Sequence, residues 1–468
     1  MLTRTRDLTQ GSIFGHFRAL AVPAAVGMVF STLYNVVDVY FAGLLHTEAQ
    51  AGLSIAFQAF FVLFAVGIGL GAAMGALVGN AIGAKDRDGA RLIVAQGLAY
   101  GLIATLALMA FGAWMGPRLI VFLSTEGGYR DAGIAYFNIL LLAVPGFVLA
   151  FGANGILQAQ GDTVSMQYAL IAAFLVNCGL DPLLMFGIPG IWGGIGFDGI
   201  ALATVISQTG VMLYVIARAL RTVLGKSLAK AAFRPQAGPF RQITLQLLPT
   251  SFAMIVMISA GFVIQYYLKS FGEPAVAAYG IALRVEQLFL LPVFGLTGAL
   301  LPIVAQNFGA GQPDRVRTAL FDCWKLGLAF MCVACPVLWF AAGAAMRGFS
   351  ADPEVIRIGV SYLHVDGVIL PAYMMLFAIN AFLQALRKPI WTVWIGIYRQ
   401  AIAVAVFVWI YVVVFGLGIW GVWFGVATSV LTGLLLSLFV AHLVAKPLIG
   451  GLFGQSRPGV VVPARPAN

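Results

Sequence analysis

Charge is what this chain has least of. Asp, Glu, Lys and Arg make up 9% of its 468 residues, against about 25% in a soluble domain. A globule in water cannot be covered with so few solvated side chains, so a soluble fold is excluded. Histidine is nearly as scarce. His16, His46, His364 and His442 lie far apart, with no HxxxD or HExxH spacing. There is no Walker A motif, and the stretches between apolar runs are too short for a soluble catalytic domain, so an enzyme is not expected. The four cysteines, Cys178, Cys323, Cys332 and Cys335, imply no disulfide framework. The single CxxC has no second pair and no nearby histidine to complete a metal site. All four are expected to be small buried hydrophobes.

Hydrocarbon is what the chain has in excess: 61% of residues are hydrophobic. A membrane helix needs about 20 predominantly apolar residues. Such runs recur at 19–42, 52–80, 92–115, 133–158, 164–187, 198–219, 243–268, 277–306, 319–345, 358–384, 390–415 and 420–444. The expected fold is therefore all-α and integral to the membrane, with twelve transmembrane helices. Arg4, Arg6, Asp7, His16 and Arg18 precede the first run and read as an interfacial segment rather than a cleavable signal. The formal charge of +10 reports topology. With the N-terminus inside, 20 of the 27 Lys and Arg fall on the inner side, five fall outside, and Arg284 and Arg399 lie within spans. That bias follows the positive-inside rule and puts both termini in the cytoplasm. No nucleic-acid partner is implied.

The spans repeat at an offset of 226. Pro23 matches Pro249, Tyr40 matches Tyr266, and Gly69 matches Gly295. "GAKDRDGAR" from Gly83 meets "GAGQPDRVR" from Gly309. Tyr136 matches Tyr362, Pro145 matches Pro371, and "NGILQA" at 154 meets "NAFLQA" at 380. Six spans per half is an even number, so the repeat is parallel, and transporters commonly place their site between such halves. The division is 1–220 for an N-terminal six-helix lobe, 221–241 for a cytoplasmic linker, 242–450 for a C-terminal six-helix lobe and 451–468 for a disordered tail.

Within the first half, polar residues recur at helical spacing. Ser31, Asn35 and Asp38 share one face of span 1, Asn154 and Gln158 of span 4, Asn177 and Asp181 of span 5, and Thr204 and Gln208 of span 6. Four such stripes satisfy one another only by converging. Ionisable residues at membrane depth are functional by default, because each is costly to bury. The second half does not repeat the acids: Asp38 aligns with Ile264, and Asp181 with the stretch around Phe407. Two sequestered acids are expected to take up a proton or a sodium ion, in competition with a positively charged solute. In span 8, Arg284 and Glu286 stand two apart and are each expected to pair with another helix.

Span 1 with Pro23 and "NVVD", span 4 with "NGILQAQGD", span 5 with "NCGLDP", and span 8 running into "QNFGAGQ" together resemble the multidrug and toxic compound extrusion (MATE) family. The resemblance covers about residues 10–446 and looks like the prokaryotic DinF-like branch. It implies two pseudo-symmetric six-helix lobes and export of amphipathic, often cationic or aromatic compounds by alternating access, coupled to H⁺ or Na⁺. The family's first-lobe acids map onto Asp38 and Asp181, its helix 5 asparagine onto Asn177 and its helix 6 threonine onto Thr204. These four form the candidate coupling site, for a proton or a sodium ion, with no other cofactor. Substrate-binding candidates are Ser31, Tyr34, Asn35, Asn154, Gln158, Gln208, Met257, Asn380 and Gln384. Met254, Met257, Met374 and Met375 suit either core packing or an adaptable cavity. Gating candidates are Pro23, where the resemblance implies bending of span 1, with Arg284 and Glu286. The sodium-linked NorM-like branch carries acids on helices 7 and 10. "PTSFAMIVMISAG" here has none, and Asp366 stands nearer the outer end of span 10, well before "LQALRK", so that branch's second-lobe cation site is not carried onto it. Expected partners are small-molecule drugs or toxins and membrane lipid, with the chain a monomer in a bacterial or archaeal inner membrane. Two rivals stay open. "GAKDRDGAR" also resembles the loop of major-facilitator drug antiporters, and a lipid-linked oligosaccharide flippase shares the fold but calls for a more cationic cavity.

Overall fold

The computed structural model describes residues 6–454 apart from 46, 125, 189–190 and 227. Arg4, His46 and the tail from 455 on, expected to be disordered, lie outside the described residues. Among the described residues the chain is helical, and its one β contact is an isolated bridge between Ile188 and Trp192. Twelve helices among the described residues are long and apolar enough to cross a membrane: α1 Ile13–Leu45, α2 Glu48–Gly83, α3 Arg87–Leu123, α4 Gly128–Ala159, α5 Val164–Phe186, α6 Phe197–Leu220, α7 Ala237–Phe271, α8 Glu273–Gly309, α9 Pro313–Arg347, α10 Pro353–Ala385, α11 Ile390–Val414 and α12 Ile419–Ile449. Helix is the form lipid demands, since it satisfies every backbone group within the segment. Most of these helices outrun the apolar runs of the sequence, because caps rather than hydropathy end them. Asp86 accepts from the Gly89 amide at 2.8 Å ahead of α3, and Asp352 accepts from the Glu354 amide at 2.8 Å ahead of α10.

Two compact units divide the chain. Among the described residues, one holds Val26–Ser251 with 6–8, and the other holds Thr9–Ala25 with 252–454. Helices α1 and α7 are thus each split, after Ala25 and after Ser251, two residues beyond Pro23 and Pro249. These divisions stand 226 residues apart, the offset of the sequence repeat. The backbone repeats it too. Lys85 and Gly311 are both left-handed, at φ 59° and 66°, as are Gly161 and Arg387, at 80° and 61°. Each follows a helix end closed by the same bonds: Asp86 N to Ala81 O and Gln312 N to Asn307 O, Asp162 N to Leu157 O and Lys388 N to Leu383 O. "GAKDRDGAR" is therefore a helix-ending turn shared by both halves.

In the first unit α2 is the inner helix, with 61% of its most apolar stretch buried against 22% for α1. It meets α4 backbone to backbone, since a Cβ on Gly155 would stand 2.1 Å from the Gly71 carbonyl oxygen. Tyr136, Phe137, Leu53, Leu70 and Met74 belong to the buried core of this unit. In the second unit α8 and α10 are the inner helices, with Trp423 and Phe382 among the largest fully buried side chains. The segment after α6 is clasped to α3: buried Gln96 donates to the Ala232 and Arg234 carbonyls and accepts from the Gln236 amide. Two expectations need correction. Only Cys323 is buried; Cys178 and Cys335 are half-buried and Cys332 is exposed, as a weakly polar thiol can be on a lipid-facing helix. Arg284 is exposed and makes no ion pair among the described residues. The spacing of two that separates it from Glu286 turns it off the buried face.

Candidate functional site

Helices α1, α5 and α6 bring their polar stripes together inside the first unit. Asp38, Asn177 and Asp181 are all 0% exposed, and Thr204 is 1% exposed. Asn177 is the hub. Its amide nitrogen donates to Asp38 Oδ1 at 2.7 Å and to Asp181 Oδ2 at 2.9 Å, while its Oδ1 accepts from Tyr34 Oη at 2.7 Å. An asparagine amide has two N–H donors, and here each goes to a different carboxyl group. The side chain's orientation is thereby fixed and the two acids are held as neighbours. Thr204 Oγ1 donates to Asp38 Oδ2 at 3.3 Å. Both oxygens of Asp38 are then occupied, whereas Asp181 Oδ1 is buried with no partner. No Lys or Arg forms an ion pair with either acid among the described residues. Two buried carboxyl groups without a counter-ion, with one oxygen free, are costly to keep ionised together.

A cavity of about 220 Å³ adjoins this group. Ser31, Tyr34, Asn35, Thr204 and Gln208 line it together with Phe57, Phe60, Phe61, Phe64, Phe147 and Leu170. The phenylalanines pack edge to face, as Phe64 does on Phe147 and Phe151 with ring centroids 5.4 and 5.3 Å apart. Tyr34 and Thr204 belong to both cavity and carboxyl network.

The other sequence candidates fall elsewhere. The α4 stripe makes no hydrogen bond to the network: Asn154 is buried with Oδ1 unpartnered, and Gln158 is half-buried. The α4 face is taken up by the close approach to α2. Met257, Asn380 and Gln384 lie in the second unit, where all three are half-buried. Pro23 sits within α1 without interrupting it. Glu286 is buried and accepts from Tyr362 Oη at 2.8 Å. Sequence reasoning missed two members of the first-unit site. Ser207 donates to Asn177 Oδ1 at 3.5 Å, and its position three after Thr204 was the available signal. Tyr136, noted only as a repeat landmark, is fully buried, stacks on Phe197 at 5.0 Å and stands in the field of Asp38.

The MatE family model matches residues 23–183 and 249–419. Its two matches begin at the two prolines 226 apart. The FAD transporter of Shewanella oneidensis is 28% identical over 341 residues, 72% of this chain and 75% of its own length. The probable multidrug resistance protein NorM of Thermotoga maritima is 26% identical over 88% of both chains. The multidrug export protein MepA of Staphylococcus aureus is 24% identical over 80% of this chain and 82% of its own. Among solved structures, a MOP superfamily transporter from Pyrococcus furiosus superposes with a TM-score of 0.87 at 22% identity, covering 95% of this chain and 99% of the other. An outward-facing multidrug resistance MATE transporter gives 0.85 at 22%, covering 94% and 97%.

Proposed function

Because this chain belongs to the MATE family of membrane transporters, we propose that it exports amphipathic, aromatic or cationic compounds in exchange for a cation bound at Asp38 and Asp181. The observation that carries this reading is the sharing of Tyr34 and Thr204 between cavity and carboxyl network. A cargo pressing on the aromatic wall disturbs the hydroxyl groups that hold Asn177 and Asp38. A cation arriving at the acids changes what those hydroxyls offer the cargo. Competition between the two is then built into one set of hydrogen bonds.

A proton suits the site better than sodium. Three of the four carboxyl oxygens already accept hydrogen bonds, leaving Asp181 Oδ1 alone. One free oxygen can hold a proton but supplies little of a metal's coordination shell. The phenylalanine wall suits planar cargo, which stacks on aromatic faces, and none of the described residues lining the cavity is basic. The likeness to the FAD transporter supports a second reading, in which a flavin dinucleotide is among the cargoes. The inner membrane, with both termini cytoplasmic, is the location that the basic residues favour.

The test is efflux from proteoliposomes of a cationic dye, with flavin adenine dinucleotide in parallel, under separately imposed proton and sodium gradients. Dye efflux driven by the proton gradient is expected, falling tenfold or more in Asp38→Asn and Asp181→Asn, a change of about 1.4 kcal/mol or more in the barrier. Wild-type rates in both variants would end this reading. Efflux driven only by sodium would reassign the ion.

A further inference from the structure

The second unit buries a charged group that the transport reading leaves unused. Glu286 on α8 is 7% exposed and held by Tyr362 Oη of α10. One turn along α10, Asp366 is 1% exposed, and neither of its oxygens has a hydrogen-bond partner. Arg399 reaches in from α11. It lies in a π-helical stretch, Ile397–Ala403, its guanidinium 5.5 Å from the Tyr373 ring centroid. Wide turns of this kind are frequent at functional sites. The neighbouring α12 leaves room for it, since a Cβ on Gly433 would stand 2.8 Å from Arg399 Cγ and Cδ. Turned to satisfy both its ends, the Gln400 amide accepts from Arg399 Nη2 at 2.6 Å and donates to the Met257 carbonyl at 2.7 Å.

The charges do not balance. Arg399 and Glu286 act on one another, whereas the charged group acting on Asp366 is Glu286. The other titratable groups around them are Tyr279 of α8, Tyr362 and Tyr373 of α10 and Cys335 of α9. His364 is turned away onto Trp339, ring centroids 4.3 Å apart. None of these supplies a second positive charge. Two acids share one guanidinium, and the acid left over is the one with no hydrogen bond. A buried, unpaired carboxylate beside another is costly to hold ionised in a lipid-embedded unit.

We infer that Glu286, Asp366 and Arg399 form a second proton-binding site, in which Arg399 balances Glu286 and Asp366 carries the exchangeable proton. The site is neutral when Asp366 is protonated and carries one negative charge when it is not. In a carrier whose first unit also binds a cation, this adds one proton to each cycle. That consequence rests on the transport reading; the protonation itself does not.

Infrared difference spectroscopy of the purified protein in lipid nanodiscs separates the two. Near neutral pH, the wild type minus Asp366→Asn spectrum is expected to contain one protonated-carboxyl stretch. In Glu286→Gln, Arg399 is released to Asp366, and the same stretch should vanish while the carboxylate bands persist. A wild type minus Asp366→Asn spectrum with no protonated-carboxyl band overturns the inference, as does an Asp366 band that survives Glu286→Gln. In proteoliposomes, protons moved per dye molecule should drop by one in Asp366→Asn, and an unchanged count removes the coupling role. Should no variant transport dye at all, the transport reading fails while the infrared result still decides the site.

Discussion

The two halves bury acids in different company. In the first, Asp38 and Asp181 are held by neutral donors, the Asn177 amide and the Thr204 hydroxyl, with Tyr34 behind them. In the second, Glu286 has a tyrosine and the field of a guanidinium, and Asp366 has no hydrogen-bond partner. The acids stand at non-equivalent places. At the offset of 226, Asp38 and Asp181 meet Ile264 and Phe407, while Glu286, Asp366 and Arg399 meet Phe60, Leu140 and Ala173. The repeated tyrosine is common to both, since Tyr136 stands in the field of Asp38 and Tyr362 holds Glu286. Helix packing constrains where bulk goes and where helices end, and it leaves polarity free to differ between related frames.

Variants can break or sharpen this contrast. The largest loss of stability is expected from Asn177→Leu, which strips donors from both acids and the acceptor from Tyr34. Buried polar groups left unpaired cost about 1–3 kcal/mol each, so a loss on the order of 2–5 kcal/mol should appear in the unfolding midpoint in detergent. An unchanged midpoint would mean that the amide does not hold the pair. Next comes the tyrosine pair. Tyr362→Phe removes a hydrogen bond to a carboxyl group and should cost roughly 1.5–3 kcal/mol. Tyr136→Phe, whose hydroxyl has no hydrogen-bond partner, should cost less than about 0.5 kcal/mol. Equal losses would make the two tyrosines alike and weaken the contrast. Smallest is a test of the frame itself. Gly155→Ala drives a methyl into the Gly71 carbonyl and should cost about 1–3 kcal/mol. Gly210→Ala, with nothing within 4 Å of its Cβ, should stay within about 0.5 kcal/mol, both read from the same thermal melts.

Much of this was legible in the residues because lipid is an exacting solvent. It forces helices, and each expected span falls within a helix to within a residue. It also makes each buried acid conspicuous, so Asp38 and Asp181 stood out by position, and the family resemblance grouped them with Asn177 and Thr204. The helix faces were harder to read. In a chain this apolar every face of a helix looks alike, and the 3.6-residue pattern that orients helices in water is faint. Hence the α4 stripe was expected in the network and is absent from it, Arg284 was expected to be paired and is exposed, and Tyr136 and Ser207 went unassigned. The π turn at Arg399 leaves no mark in composition.

From the residues alone follow the membrane, the twelve helices, the parallel repeat and the presence of acids too costly to be accidental. These depend on local hydropathy, on charge and on an offset that can be counted. Which acids meet, which hydroxyl serves both cavity and carboxyl group, and which carboxylate is left without a partner were decided only in three dimensions. They depend on how each helix is rotated about its axis, and that rotation is set by contacts such as that of Thr204 with Asp38, 166 positions apart, beyond the reach of any local pattern.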